Sequence, residues 1–93
     1  MTSGRDFEWD EAKALGNIAK HGVPFPYAIR VFLDAMMIDF DASRAEDGEV
    51  RRKAVGMIEG HLFTLVFTER EGVIRVISAR RSNGKEERQY GPV

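Results

Sequence analysis

Ninety-three residues, 43% of them hydrophobic and 31% charged, describe one soluble globular domain, 1–93, with a core able to fold without covalent staples. Cysteine is absent, which excludes a disulfide framework and a thiolate metal site, and His21 and His61 lack the spacing of a zinc motif. A net charge of −1 excludes nucleic-acid binding through bulk charge alone, and no apolar run approaches the roughly 18 residues of a membrane span.

The N-terminus has no apolar signal region, so a cytoplasmic protein without membrane contact is expected, with residues 1–6 disordered. Phe7-Glu8-Trp9 reads as a short strand, and Asp10 is a good N-cap for a helix beginning at Glu11. Ala12, Leu15, Ile18 and Ala19 recur at helical spacing and predict its buried stripe. Gly22 suits the left-handed cap that ends it. Pro24 and Pro26 open a second helix, in which Phe25, Ala28, Ile29, Phe32 and Leu33 follow an amphipathic i, i+3, i+4, i+7, i+8 pattern.

After Asp34 the period changes. Residues 36–40 are strand-like, and 41–50 form an acidic, mobile loop. Arg51 to Ile58, Leu62 to Thr68 and Val73 to Arg80 are three β-rich runs, separated by Glu59-Gly60 and Glu71-Gly72 at hairpin spacing. They form an antiparallel meander with the 36–40 strand at one side, and Lys85 to Tyr90 make a last short helix. The order is βααββββα, an α+β fold with a twisted, mainly antiparallel sheet and helices on one face.

Charge is unevenly placed. Residues 34–50 carry six acids against Arg44, whereas residues 70–93 carry six bases against three acids, a pattern compatible with a local anion site. The last strand delivers Arg80 and Arg81 at its end, and a guanidinium on a rigid strand suits phosphate because its planar donor fork binds two oxygens. Period-2 alternation predicts Ile74, Val76, Ser78 and Arg80 on one face of that strand, Thr64, Val66, Thr68 and Arg70 on one face of its neighbour, and Arg51, Lys53, Val55 and Met57 on one face of the next. On this pattern Arg70 and Arg80 need not converge. Lys20-His21 is either a cationic helix C-terminus or a proton-transfer site, since histidine's unperturbed pKa lies near ~6.5. Glu86 is either a general base or a helix-surface acid, and Tyr90 either packs its ring or offers its hydroxyl. The chain has neither a phosphate-cradling glycine loop nor a spaced carboxylate cluster. Phosphate chemistry here is therefore expected to use arginine and lysine in place of a metal or other cofactor.

Phe7-x-Trp9-Asp10-x-x-Lys13-x-x-x-Asn17-x-x-Lys20-His21-Gly22-Val23-x-Phe25-x-x-Ala28 resembles the opening of the BrnT family of bacterial toxins. The resemblance runs on through Glu49-x-Arg51-x-x-Ala54-x-Gly56, Val66 to Arg70 and Arg75 to Arg80, and closes at Glu86 and Tyr90. Two features depart from the family's pattern: Glu87, not arginine, follows Glu86, and Arg52 and Lys53 stand at positions that are often apolar. The resemblance implies a RelE-like fold and a metal-independent ribonuclease toxin of a type II toxin–antitoxin pair. It implies a BrnA-type antitoxin with a ribbon-helix-helix domain, through which alone operator DNA is bound. With that chemistry, Arg80 and Arg70 are expected at the phosphate, Arg51 and Lys20 to add charge, His21 and Tyr90 to transfer protons, and Ser78 to orient a neighbour. Arg75, Arg81, Lys85 and Arg88 are expected to hold the rest of the RNA. Arg80→Ala should abolish toxicity with thermal unfolding nearly unchanged. Two other roles fit the same fold: inhibition of DNA gyrase by binding, and a catalytically weak chain acting mainly in an autorepressing complex.

Overall fold

A computed structural model describes residues 6–43, 46 and 48–92. Most of the segment expected to be disordered, and residues 44, 45 and 47 of the acidic loop, lie outside the described residues. The elements are β1 (Asp6–Glu8), α1 (Glu11–His21), α2 (Phe25–Ala28) with a 3-10 continuation (Ile29–Leu33), β2 (Ile38–Asp41), β3 (Arg52–Ile58), β4 (His61–Arg70), β5 (Val73–Arg81) and α3 (Gly84–Tyr90). The strands form one sheet in the order β1-β5-β4-β3-β2. Only the β1–β5 pairing is parallel. The α+β order read from the sequence is the order observed.

Both hairpins turn on two residues. Glu59-Gly60 and Glu71-Gly72 have positive φ at each position, 52° and 85° then 53° and 82°, the backbone whose twist matches the flanking strands. The core lies between the sheet and the layer of α1, α2 and the 3-10 turn. Phe25, Ala28 and Val31 meet Ala54, Leu65, Phe67, Ile74, Val76 and Ala79 there. The rings of Phe7, Phe32 and Phe67 contact one another in series, with centroids 5.5 and 5.4 Å apart. The helix α3 contacts side chains of the opposite sheet face.

Two helix readings change. The buried positions of α1 are Ala14 and Asn17, whereas Leu15 and Ile18 are exposed. Asn17 decides this orientation: its Nδ2 donates to the carbonyls of Val23 and Ala79, at 2.9 and 2.8 Å, and its Oδ1 accepts from the Ala79 N–H. β1 ends opposite Arg75, so the Asn17 amide takes the place of a strand farther along the β5 edge, at Ala79. The second change is one of pitch. Beyond Ala28 the helix tightens to three residues per turn, so Phe25, Ala28 and Val31 share the buried face and Leu33 is exposed.

Candidate functional site

The face of the sheet turned away from α1 and α2 carries the polar side chains. Register places Ile38, Val55, Thr64 and Arg80 in one row across four strands, and Phe40, Lys53, Val66 and Ser78 in the next. Thr68 and Arg75 follow in a third row, with Arg70 beyond them at the end of β4. Uninterrupted alternation would put Ile74 and Val76 on this face with Arg80. They lie in the core instead, because the pairing slips between Val66 and Phe67 and leaves Ile77 as an extra residue on β5. That bulge reverses the alternation, and so brings Arg75 and Arg80, five residues apart, onto one face. Arg81 then points to the other face, its guanidinium carbon 5.6 Å from the centre of the Phe63 ring.

Glu86 organises the end of the face near Arg80. Asn83 caps α3 and accepts from the Glu86 N–H, while Glu86 Oε1 accepts from the Asn83 N–H, a capping box that turns the carboxylate toward the sheet. Oε1 also accepts from Arg80 Nη1 and Thr64 Oγ1, both at 2.8 Å. Oε2 accepts from Arg80 Nη2 at 2.7 Å and Lys53 Nζ at 3.2 Å. The Glu86 side chain is 3% exposed. Burial pushes its carboxyl upward, but the Arg80 fork, the Asn83 N–H and the Thr64 hydroxyl outweigh that and hold it at about 2. The same bonds to Glu86 raise the Arg80 guanidinium against the effect of burial. A carboxylate with five donors on it and so low a pKa is no general base. It is a buried anchor that holds two cations in place.

Beside this anchor a groove of about 630 Å³ opens between the β2 edge and α3. Arg51, Lys53, Ser78 and Lys85 supply its polar lining, Phe40 and Val66 its apolar floor, and Asp41 to Ser43 one wall. Lys53 Nζ is held against Glu86 and also lies 6.0 Å from the centre of the Phe40 ring. The arrangement offers fixed positive charge above an apolar floor. It suits a phosphodiester with its attached base or sugar.

Four of the expected residues, Arg51, Ser78, Arg80 and Lys85, therefore gather at the groove or its end. Arg70 and Arg75 share the face but line a separate cleft of about 200 Å³ with Glu8, Glu49 and Thr68. From Thr64, opposite Arg80, to Arg70 is six strand residues, or roughly 20 Å, so Arg70 and Arg80 cannot grip one phosphate. Tyr90 is tied elsewhere: its hydroxyl donates to Asp34 Oδ2 at 2.6 Å, a bond that, with burial, pushes the phenol up to about 12. Its structural role is to clamp α3 to the end of the 3-10 turn. Arg88 lies with Gly84, Glu87, Gly91 and Pro92 in a different depression. Lys20 and His21 close α1, and neither has a hydrogen-bond or ion-pair partner among the described residues.

Sequence reasoning passed over Lys53 as a site residue and Thr64 and Asn83 as its supports. The available signal was Asn83-x-x-Glu86, the spacing of a capping box, which already implies that the glutamate turns back on its helix.

Residues 9–86 match a family model described as ribonuclease toxin, BrnT, of type II toxin–antitoxin system. No curated protein matches the chain.

Proposed function

The chain belongs to the BrnT family of ribonuclease toxins of type II toxin–antitoxin systems, and from that premise we propose that the groove beside Arg80 and Glu86 is where it cleaves RNA without a metal. The carrying observation is the gathering of Arg51, Lys53, Arg80 and Lys85 on one sheet face of a chain whose net charge is −1. In this reading a 2′-hydroxyl loses its proton and attacks the adjacent phosphorus in line. The 5′-oxygen leaves with a proton, and the products carry a 2′,3′-cyclic phosphate and a 5′-hydroxyl. Lys53, Arg51 and Lys85 face the phosphorane charge, and preorganised donors of this kind are worth several kcal/mol in the transition state, about 3 for a single donor. Arg80 borders them, fixed by both oxygens of Glu86, and Ser78 lines the floor. His21, expected to move a proton, closes α1 on the other side of the sheet and does not line the groove, so the protons of this step are exchanged with solvent water.

Type II systems pair a toxin with a protein antitoxin, and we propose a BrnA-type ribbon-helix-helix partner whose acidic segment covers this cationic face. Operator DNA is then reached through the antitoxin.

The test is cleavage of purified total RNA by the isolated protein, with EDTA and without ribosomes, beside Arg80→Ala and Lys53→Ala. Wild type should cut, both variants should lose at least tenfold, and an oligonucleotide with a single 2′-deoxy sugar at the cut position should resist. Cleavage of the deoxy substrate, or full activity of both variants, would overturn the mechanism. Arg80→Ala should also melt lower than the sequence alone suggests. Removing the fork leaves Glu86 buried with a weaker set of donors, at roughly 2 kcal/mol, less than a fully buried pair because Lys53 remains. Lys53→Ala, at the rim, is the cleaner probe of activity.

A further inference from the structure

We propose that the cleft of Arg70 and Arg75 is a second phosphate subsite, which binds the RNA backbone several nucleotides from the scissile bond and makes affinity depend on substrate length. The proposal rests on the RNA-cleaving reading above and extends it to a place that reading does not use.

Three observations carry it. The first is continuity: Arg70, Thr68 and Arg75 belong to the same sheet face as Lys53, Ser78 and Arg80, with Arg51 lining the groove between the two ends. The second is spacing. Roughly 20 Å along β4 is too far for one phosphate, and it is the reach of a short extended strand near the lower end of the ~4–16 nucleotides that single-strand surfaces cover. The third is availability. Arg70 is exposed, and among the described residues no carboxylate pairs with it. Among the described residues Arg75 is held only by Glu8, at 3.2 Å, with both side chains about half exposed, a kind of pair that solvent and salt weaken readily. A phosphate oxygen can replace Glu8 on Arg75 while Arg70 closes from the other side and the Thr68 hydroxyl donates from the floor. Glu8 and Glu49, which line the same cleft, oppose an anion and set its strength.

This moves Arg70 from the chemistry to positioning. It holds the strand so that the scissile phosphate rests at Lys53, and it adds contact only when the RNA is long enough to reach it.

The experiment compares binding of 2′-O-methyl RNA, which resists cleavage, as a dinucleotide and as an octanucleotide. Each is titrated into wild type, Arg70→Ala and Glu8→Gln at one low salt concentration. Arg70→Ala should lower the ratio of octanucleotide to dinucleotide affinity about fivefold, the upper end for an exposed charge pair. Glu8→Gln removes a repulsion and frees Arg75, so it should raise that ratio. An unchanged ratio in both variants, or equal losses at both lengths, would overturn the subsite and leave the groove standing. Wild type that binds neither oligomer would overturn the RNA reading itself, and the subsite with it.

Discussion

Glu86 shows how far a single side chain departs from its sequence appearance. In the chain it is one of two adjacent acids on a polar helix, and a surface position is the commoner fate of such a residue. In the structure it is buried and accepts from Arg80, Lys53, Thr64 and Asn83. A carboxyl whose folded pKa of about 2 lies below its ordinary 4.5 favours the folded state while it is ionised. The unfolded chain binds the proton first as pH falls. The stabilisation is therefore complete above about pH 4.5 and is lost on descending toward pH 2, and it amounts to roughly 3 kcal/mol. Urea unfolding followed from pH 6 to pH 2 should show this acid limb in wild type. Glu86→Gln should be less stable at pH 6 and should show a flatter limb; an equally steep one would place the titrating group elsewhere.

At the scale of elements, the strands and their turns were legible because alternation and Glu-Gly dipeptides act locally. The helix faces were not. Counting apolar residues along α1 selects Leu15 and Ile18, but the amide of Asn17 meets three backbone groups that would otherwise be buried and unpaired, a larger effect than one leucine face. The 3-10 turn was illegible for another reason: its tightening follows from what lies beneath it. Gly56 on β3 sits under Val31, and a Cβ there would stand 2.8 Å from the Val31 carbonyl oxygen and 2.9 Å from its Cβ. Gly56→Ala should therefore lower stability by about 1–3 kcal/mol, through displacement of backbone that cannot rotate away. A melting curve would show it. A neutral result would mean that the 3-10 segment moves off the sheet freely.

At the scale of the whole molecule, the chain's slight negative charge conceals a division. The centre of one sheet face, covered by α1 and α2, is apolar, while the other face collects Arg51, Lys53, Arg70, Arg75, Arg80 and Lys85 around Glu8, Glu49 and Glu86. Composition could not show this, since it sums over faces that only the fold separates. The consequence for binding is a salt dependence larger than net charge suggests. With about four phosphates contacted, log affinity for single-stranded RNA should fall with log salt at a slope near −3, or ~0.7 per phosphate. Titrations at three salt concentrations measure it, and a slope near zero would mean that the cations of this face do not meet the backbone. Among the described residues no helix is long and apolar enough to cross a membrane.

The extra residue at Ile77 carries a lesson about inheritance. Five is an odd step, and on a regular strand an odd step separates Arg75 from Arg80 by the thickness of the sheet. Kin that descend without the additional residue must count an even interval between the two arginines, or lose one of them to the core. Gaps and basic positions in this strand should therefore change together from one lineage to the next, a rule of parity that can be read in sequences before any of them is folded.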